Sequence, residues 1–323
     1  MALRTLFFGT PAFAVPSLDR LVEAGHTVTA VVTQPDRPRG RGQRVAAPPI
    51  KVRALEGGLT ILQPDRPGDE ATLDQLRSCH ADLGVVAAYG KILPQALLDV
   101  PRLGFVNVHA SLLPRWRGAA PVHRAILAGD DETGVTIMRV VLALDAGPVL
   151  SRARTPIGPD ETSASLEARL ADLGGRLLVE TIEQFEGEPP QGEMQDEQAV
   201  TYASKLERRD GIVDWDRPAR SLHNQIRGLH PWPLAAARLG GARLLLRRSL
   251  VATARFPAGP PGTIVDLTDE AITVACAPGH VRLLEVQPED RRPMTAGAFL
   301  HGYRVAIGDA FEPPPSAWPR QYT

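Results

Sequence analysis

Short apolar runs separated by helix-like stretches fill the chain up to Phe185, and this alternation restricts the fold more than any other feature. Runs that are buried on both faces and separated by helices are typical of a parallel sheet with helices on either side. We therefore predict an α/β domain with a mainly parallel sheet. Its strands are predicted at Leu3 to Phe8, Thr27 to Thr33, Asp82 to Ala88, Phe105 to His109 and Val135 to Val140. Helices are predicted at Ala71 to Cys79, Ala119 to Ala128 and Thr162 to Phe185, and in a first helix with Leu18, Leu21 and Val22 on one face.

The character of the sequence changes after Phe185. The stretch EGEPPQGEMQDEQAV is polar, contains a Pro pair and lacks an apolar period, as expected of a linker. Beyond it, short strand-like pieces joined by Gly, Pro and Asp turns predict a small β-barrel of the OB type or a sandwich. These pieces are Ala242 to Val251, Gly262 to Leu267, Ala271 to Ala275 and Val281 to Val286, with one helix at Ala219 to Leu229. We place the first domain at 1–189, the linker at 190–208 and the second domain at 209–315, with an irregular Pro-rich tail.

The composition excludes a generally basic nucleic-acid-binding surface. The 323 residues carry a formal net charge of -1, with 43% hydrophobic and 23% charged residues, so any site for a polyanion must be local. Cys79 and Cys276 lack a CxxC pattern and a neighbouring histidine pair, and we expect two buried thiols without disulfide or zinc. Neither a signal-peptide pattern nor a run of about 20 apolar residues occurs. We expect a cytoplasmic monomer that does not bind membranes.

The densest concentration of polar residues lies in GFVNVHASLLP, followed by RWRGAAP. Asn107 and His109 are two positions apart at the end of an apolar strand, so they project from the same face, where a parallel sheet presents its ligands. Asp145 follows the next apolar strand, in the turn LDAGP. Each residue alone has an ordinary structural explanation, as a core histidine, a capping amide or a turn aspartate. Together, they predict an active site.

Further motifs accompany this segment and extend over nearly the whole chain. They are FGTPAFAVPSL at Phe8 to Leu18, TQPDRPRGRG at Thr33 to Gly42, AYGKILP at Ala88 to Pro94, ETGVTIM at Glu132 to Met138, VTYASKL at Val200 to Leu206 and HPWP at His230 to Pro233. The full set resembles the methionyl-tRNA formyltransferases. The central segment resembles the superfamily of transferases that use 10-formyltetrahydrofolate, whereas the Arg-Gly loop and HPWP resemble its tRNA branch specifically.

The resemblance implies a Rossmann-like formyltransferase domain followed by a β-barrel that binds tRNA. It implies that Asn107, His109 and Asp145 are the catalytic trio, and that 10-formyltetrahydrofolate is the formyl donor with no metal required. The folate would bind the segment SLLP, and its pterin would lie against the AYGKILP stretch and the loop before Asp145. The residues implied for the folate are Ser111, Leu112, Leu113, Pro114, Tyr89, Gly90 and Ile92.

A run of basic residues without any acidic one lies in the loop after the second strand. Its members are Arg37, Arg39, Arg41, Arg44, Lys51 and Arg53. An isolated basic run is usually a solvated loop, but this one should emerge at the ligand-binding end of the sheet, where it can meet an acceptor stem. We predict that the first four arginines contact charged initiator tRNA, with Arg41 contributing most. Further arginines at 238, 243, 247 and 248 are interpreted equally well as solvated or as RNA contacts.

Formyl transfer passes through a tetrahedral intermediate, and the trio has suitable chemistry for it. Our hypothesis is that the Asn107 amide and protonated His109 donate to the oxyanion, while Asp145 orients and charges His109. The proton of the attacking amine leaves through Asp145 or a water, and the sequence leaves this choice open. Ser111 has no assigned base, so a covalent intermediate is not implied.

Four other functions are alternatives for a sequence of this kind. A formyltransferase for a small amine, such as glycinamide ribonucleotide or an amino sugar, would share the trio, but would need neither the second domain nor the basic loop. A hydrolase that deformylates the folate is a further alternative. A non-catalytic tRNA-binding protein would not need the trio. An NAD enzyme is rejected, because Gly9-Thr10-Pro11 is not the GxGxxG pattern.

Overall fold

The structure is a computed structural model that describes residues 2–39, 44–185, 187 and 189–314. The chain divides into two compact units. The first consists of Met1–Pro121, Glu132–Pro156 and Leu166–Ser204, and the second of Val122–Asp131, Ile157–Ser165 and Lys205–Thr323. Much of the stretch predicted as a linker thus groups with the first unit, and two segments from the first half of the chain group with the second. The domain limits given above stay a prediction.

Strands and helices are interspersed up to Ala203, with two or three consecutive strands between some helices. The strands are β1 (Arg4–Gly9), β2 (Thr27–Val32), β3 (Arg37–Arg39), β4 (Arg44–Ala46), β5 (Ile61–Leu62), β6 (Leu83–Ala87), β7 (Phe105–His109), β8 (Arg117–Gly118), β9 (Glu132–Arg139), β10 (Val149–Pro156) and β11 (Tyr202–Ala203). The helices are α1 (Val15–Glu23), α2 (Pro49–Glu56), α3 (Glu70–Ser78), α4 (Gln95–Leu98), α5 (Pro121–Ala128) and α6 (Ser163–Ile182).

Seven strands form one sheet in the order β10-β9-β7-β6-β1-β2-β5. The five strands from β7 to β5 are parallel, whereas β9 runs antiparallel to β7 and β10 antiparallel to β9. The mainly parallel sheet is confirmed, but the apolar run at Val135–Val140 belongs to an antiparallel strand, and β10 was not predicted. The short loop at 140–148 can join antiparallel neighbours, while a parallel connection needs a crossover of a dozen or more residues.

The core beside β1 and β2 consists of apolar side chains that alternate along the strands and meet helices α3 and α4. Phe8 lies at its centre and contacts the rings of Tyr89 and Phe105 edge to face, at centroid distances of 5.3 and 5.4 Å. In α1, Leu18 and Leu21 are buried, but Val22 is 47% exposed. The prediction that Val22 shares the buried face is wrong, because the stripe that this helix buries is narrow.

The basic segment after β2 is more ordered than a loop. Strands β3 and β4 form a hairpin, and Lys51 and Arg53 lie on helix α2. Lys51 Nζ donates to Asp36 at 2.8 Å, which lowers the pKa of that carboxyl, and Arg53 Nε donates to Asp19 at 2.7 Å. These two cations are therefore engaged within the chain, whereas Arg37 on β3 is exposed.

The second unit contains an antiparallel sheet in the order β12-β13-β16-β15-β14. Its elements are α7 (Ala219–Gly228), β12 (Ala235–Leu239), β13 (Ala242–Val251), β14 (Ile264–Leu267), β15 (Ile272–Ala275), β16 (His280–Pro288), β17 (Met294–Thr295) and α8 (Ala296–Gly302). Phe311 bridges Leu239 at the end of β12, and Ala310 bridges Thr263 before β14, so these residues link the two edges of the sheet. The β-rich second domain is confirmed, while β12 and α8 were not predicted.

Several polar side chains of α7 are buried and hydrogen-bonded. Arg227 donates to the carbonyls of Gly158 and Glu161 at 3.0 and 2.9 Å, and His223 contacts Ser249 Oγ at 3.0 Å. Burial lowers the pKa of both side chains. Cys276 is a buried free thiol, as predicted, and burial raises its pKa to about 12, whereas Cys79 is only half-buried. None of the helices that the structure describes is long and apolar enough to cross a membrane.

We expect the stability of this fold to fall in acid, because His123 on α5 is partly buried. Its pKa is lowered to about 4, mainly by burial. In the unfolded chain the same imidazole takes up a proton near pH 6.5, so the unfolding free energy is not reduced by this group above about pH 6.5. Below that pH the unfolding free energy falls, toward pH 4, by about 1.4 kcal/mol per pH unit.

The melting temperature of His123→Gln should therefore fall less than that of wild type between about pH 7.5 and about pH 5. Exposed His301→Gln is the matched control and should behave like wild type. Some loss will remain in His123→Gln, because burial also lowers the pKa of His26 and His223. Equal losses in wild type and His123→Gln would contradict the assignment.

Candidate active site

Strand β7 presents Asn107 and His109 on one face of the sheet, since side chains two positions apart in a strand point the same way. Asn107 pairs with Met138 and His109 with Thr136 on the neighbouring β9. His109 is 6% exposed and Asn107 is half-buried. Among the described residues, no hydrogen-bond partner occupies the Asn107 side-chain amide. The amide is therefore available to a ligand.

His109 is held through one ring nitrogen. Nε2 lies 2.9 Å from the carbonyl oxygen of Trp116, and because a carbonyl can only accept, Nε2 carries a proton. Nδ1 faces Asp145 Oδ2 at 3.7 Å, which is too long for a hydrogen bond. A polar ligand atom placed beside the pair could contact both groups, so Nδ1 is the ring position that is open to chemistry.

Asp145 reaches His109 from an unexpected direction. Because β9 is antiparallel to β7, Arg139 at its end lies opposite Val106, near the beginning of β7. The 140–148 loop must therefore return along the sheet to bring Asp145 beside His109. Asp145 has φ 47°, in the left-handed region that a non-glycine residue seldom adopts, and Oδ2 accepts from the backbone N–H of Gly118 at 2.8 Å. The structure thus brings His109 and Asp145 together, with Asn107 on the same strand face.

The segment Trp116–Gly118 contacts both sides of this pair. Its first residue provides the carbonyl that fixes His109, and its last provides the N–H that fixes Asp145. Trp116 has φ 67° and Gly118 has φ 120°, so three of the positive-φ residues of the chain lie at this site. Unusual backbone conformations of this kind concentrate where function requires them.

Residues predicted as linker hold the segment in place. The Trp116 N–H donates to Thr201 Oγ1 at 2.9 Å, the Arg117 N–H donates to the Thr201 carbonyl at 2.9 Å, and β11 pairs in parallel with β8. Sequence reasoning missed this role, because the polar, Pro-containing stretch lacks any apolar period. The RWRG that follows SLLP was the available signal, since its buried Arg117 needs an acceptor inside the fold.

The predicted folate segment Ser111–Pro114 crosses the same face. Thr136 anchors it, since its hydroxyl donates to the Ser111 carbonyl at 2.7 Å and accepts from the Leu113 N–H at 3.1 Å. Leu113 is buried in a cluster with Met138 and Val149, while Leu112 and Pro114 are half-buried. Ser111 Oγ donates to the Arg115 carbonyl at 2.6 Å. Its hydroxyl is thus engaged within the loop.

The residues predicted to contact the pterin differ in accessibility. Tyr89 is 1% exposed with a ring in the core, and burial raises its pKa to about 12. Its carbonyl already accepts from Thr10 Oγ1 and Gln34 Nε2 at 2.9 and 3.0 Å, so it serves the fold. Gly90 is exposed, with φ 82°, and Ile92 is 84% exposed.

The loop before Asp145 also presents apolar side chains to solvent. Leu142 and Leu144 are 61% and 62% exposed. Exposed apolar side chains that cluster can mark a ligand-binding surface. The loops after β6 and β9 therefore both offer apolar surface to a flat, partly apolar ligand.

Three of the predicted tRNA contacts, Arg37, Arg39 and Arg44, lie on strands β3 and β4. Arg37 is exposed, while Arg41 and the side chains of Arg39 and Arg44 lie outside the described residues. In the second unit, Arg238 pairs with Glu312 at 3.2 Å and Arg247 with Glu285 at 3.1 Å. Arg243 and Arg248 are exposed.

Known proteins resemble the chain over almost its full length. Residues 3–182 match the family Formyl transferase, and residues 205–304 match Formyl transferase, C-terminal domain. A methionyl-tRNA formyltransferase of Methylococcus capsulatus is 48% identical over 304 residues, covering 94% of this chain and 98% of that protein. One of Paracoccus denitrificans is 46% identical over 310 residues, covering 96% and 100%. The chain belongs to the methionyl-tRNA formyltransferase family. The family resemblance and the enzyme class predicted from the sequence are thereby confirmed.

Two solved structures share the fold of this family member at low sequence identity. An N-formyltransferase from Helicobacter canadensis, in complex with folinic acid and dTDP-3-aminofucose, has TM-score 0.67 at 16% identity, covering 89% of this chain and 100% of that one. HypX from Aquifex aeolicus, in complex with tetrahydrofolic acid, has TM-score 0.65 at 18% identity, covering 93% and 47%. At these identities the likeness is one of fold.

The path of the Asp145 loop depends on Gly147. A Cβ added there would lie 1.8 Å from the Arg139 carbonyl oxygen, so Gly147→Ala must displace the loop. We expect a loss of about 1–3 kcal/mol in unfolding free energy and faster hydrogen exchange at 140–148. The matched control is Gly302→Ala in α8, where an added Cβ meets nothing within 4 Å. A Gly147→Ala protein as stable as wild type would contradict the described loop path.

Proposed function

We propose that the chain transfers the formyl group of 10-formyltetrahydrofolate to the α-amino group of methionyl initiator tRNA. The observation that carries the proposal is the Asn107, His109 and Asp145 arrangement, in a chain that matches methionyl-tRNA formyltransferases over almost its whole length. The products are N-formylmethionyl-tRNA, which serves translation initiation, and tetrahydrofolate. We place this enzyme in the cytoplasm as a monomer.

The reaction exchanges one carbon–nitrogen bond for another. The amine lone pair forms a bond to the formyl carbon while the carbonyl π electrons move to oxygen, which gives a tetrahedral oxyanion. Its collapse re-forms the carbonyl and breaks the bond to N10 of the folate. The amine loses one proton and N10 gains one, so no oxidant, reductant or metal is needed for the balance.

The site residues match these requirements. The free amide of Asn107 can donate to the oxyanion, and such a donor contributes about 3–4 kcal/mol in comparable sites. His109 engages the reaction through Nδ1, since Nε2–H is directed to Trp116. Asp145 keeps one oxygen on the Gly118 N–H, which leaves the other for the attacking amine. In this arrangement Asp145 or His109 Nδ1 can receive the amine proton directly.

The apolar surface near the site supports binding of the donor. Ile92, Leu142 and Leu144 are exposed on the loops after β6 and β9, where a pterin ring would cover them. Backbone groups at Gly90 can approach the ring edge closely, because no side chain intervenes. Ser111, Leu112, Leu113 and Pro114 are proposed to form the wall beside it, and Tyr89 to support the wall from the core.

Two features favour tRNA over a small amine as the acceptor. The net charge is -1, yet the β3–β4 hairpin carries Arg37, Arg39 and Arg44, with Arg41 between its strands. Local positive charge of this kind suits phosphates. The second domain adds Arg243, Arg248 and the half-exposed ring of Trp232, and aromatic rings of this sort can stack on nucleotides.

The acceptor can be tested directly. Purified enzyme is given 10-formyltetrahydrofolate with charged initiator tRNA, glycinamide ribonucleotide, an amino sugar nucleotide or water. We expect rapid formylation of the charged tRNA alone. Faster transfer to a small amine or faster donor hydrolysis would reject the proposal, and so would a folded protein without any transfer.

Removal of the ligand-facing polar groups should reduce turnover without unfolding the protein. His109→Ala should lower kcat about a hundredfold or more. Asn107→Asp should be at least as harmful, because it puts a negative acceptor where negative charge develops. Rapid-quench assays with charged tRNA measure kcat, and melting curves check the fold. Near-normal turnover of either variant would remove that residue from the proposed site.

A variant of the basic hairpin distinguishes a tRNA substrate from a small-amine substrate. Arg41→Leu should weaken tRNA binding strongly and leave folate affinity unchanged. Each lost phosphate contact should also flatten the dependence of log affinity on log salt by about 0.7 to 0.9. Arg77→Leu on α3 removes an equal charge, where Arg77 pairs with Glu70 and Asp74, and is the matched control. Coincident salt plots for wild type and both variants would contradict the predicted contact.

A further inference from the structure

One buried side chain outside the trio fixes the backbone of the Asp145 loop. Gln195 is 7% exposed and lies in the stretch predicted as linker. Its Nε2 donates to the carbonyls of Asp145 and Gly147, both at 2.8 Å. Its Oε1 accepts from Arg117 Nε at 3.0 Å. All three of these bonds lie within the first unit.

The chemistry of this position requires an amide. Two buried carbonyls need two donors, and a charged guanidinium needs an acceptor, and a glutamine side chain supplies all three at its end. A carboxylate at this position would place an oxygen, which can only accept, against the two carbonyl oxygens. A thioether would leave both carbonyls without a donor. Unpaired buried carbonyls carry a substantial cost.

Arg117 fixes the orientation of that amide. Its guanidinium is 3% exposed and also pairs with Glu197 through two nitrogens, at 3.3 and 2.8 Å. Its backbone belongs to the Trp116–Gly118 segment that contacts His109 and Asp145. One short network therefore connects the backbone of Asp145 with the groups that fix its carboxylate.

The carbonyl bonds matter because the Asp145 backbone is in an unfavourable conformation. A non-glycine residue at φ 47° persists only when its surroundings fix it. Asp145 has one carboxylate hydrogen bond among the described residues, to Gly118, and sits at the end of an exposed loop. Without Gln195 the loop could relax, and the carboxylate would move away from His109 Nδ1.

We propose that Gln195 is a positioning residue for formyl transfer, which acts by holding Asp145 against His109. The inference rests on the proposed function. It assigns a role in the reaction to a side chain that touches neither substrate nor the reacting atoms. The polar stretch after the first domain is then part of the active-site framework.

The test compares Gln195→Met and Gln195→Glu with Gln198→Met, a matched change at an exposed glutamine of the same stretch. Gln195→Met should lower kcat about ten- to a hundredfold, with KM for the folate donor changed less than about twofold. Gln195→Glu keeps the side-chain length and the acceptor for Arg117 but loses both donors. Its kcat should therefore be no higher than that of Gln195→Met. Gln198→Met should match wild type. Full activity in either Gln195 variant would overturn the inference.

A double-mutant cycle with Asp145→Asn separates positioning from general destabilisation. If Gln195 acts through Asp145, Gln195→Met should have little further effect on the single-turnover rate of Asp145→Asn. If the rate losses of the two single variants multiply in the double variant, the inference is overturned.

A second readout does not depend on activity. Hydrogen exchange at 140–148 should rise in Gln195→Met but not in Gln198→Met, while exchange in β1 and β6 stays unchanged. Uniformly faster exchange would indicate a structural role alone and overturn the inference. An inactive wild type would instead refute the proposed function.

Discussion

The site depends on two hydrogen bonds made by one short segment. The carbonyl of Trp116 accepts from His109 Nε2–H, and the N–H of Gly118 donates to Asp145 Oδ2. Because both bonds come from residues two positions apart, the imidazole and the carboxylate keep a fixed relation to each other. Such fixed geometry lowers the reorganisation that formyl transfer would otherwise require. The rest of the first unit can be understood as the support of this segment.

That support comes from parts of the chain that are distant in sequence. Strand β7 supplies the histidine, the loop after the antiparallel β9 returns to supply the aspartate, and Thr201 with Ala203 hold the segment itself. The left-handed backbone at Asp145 and Trp116 is stable only in this setting. Unfavourable local conformations at the site are thus offset by hydrogen bonds made elsewhere, a common arrangement in active sites.

Sequence reasoning predicted what local patterns determine. Apolar runs located the strands, and the two-residue spacing of Asn107 and His109 placed both on one face. It could not predict that β9 is antiparallel, because a buried strand reads the same in either direction. Nor could it predict Gln195, since a polar residue in a polar stretch gives no sign that tertiary contacts bury it. The Lys51 and Arg53 ion pairs were missed for a related reason, as their partners lie in other elements.

In this site His109 is anchored through Nε2, and Nδ1 is the nitrogen that takes part in the proposed reaction. The most direct measurement is the ¹⁵N NMR spectrum of the His109 ring, assigned with His109→Gln, before and after addition of folinic acid and uncharged initiator tRNA. We predict that Nε2 keeps its proton and its hydrogen-bonded shift in both states, while the Nδ1 signal moves on binding. An Nε2 that loses its proton on binding, with an unchanged Nδ1, would contradict the account.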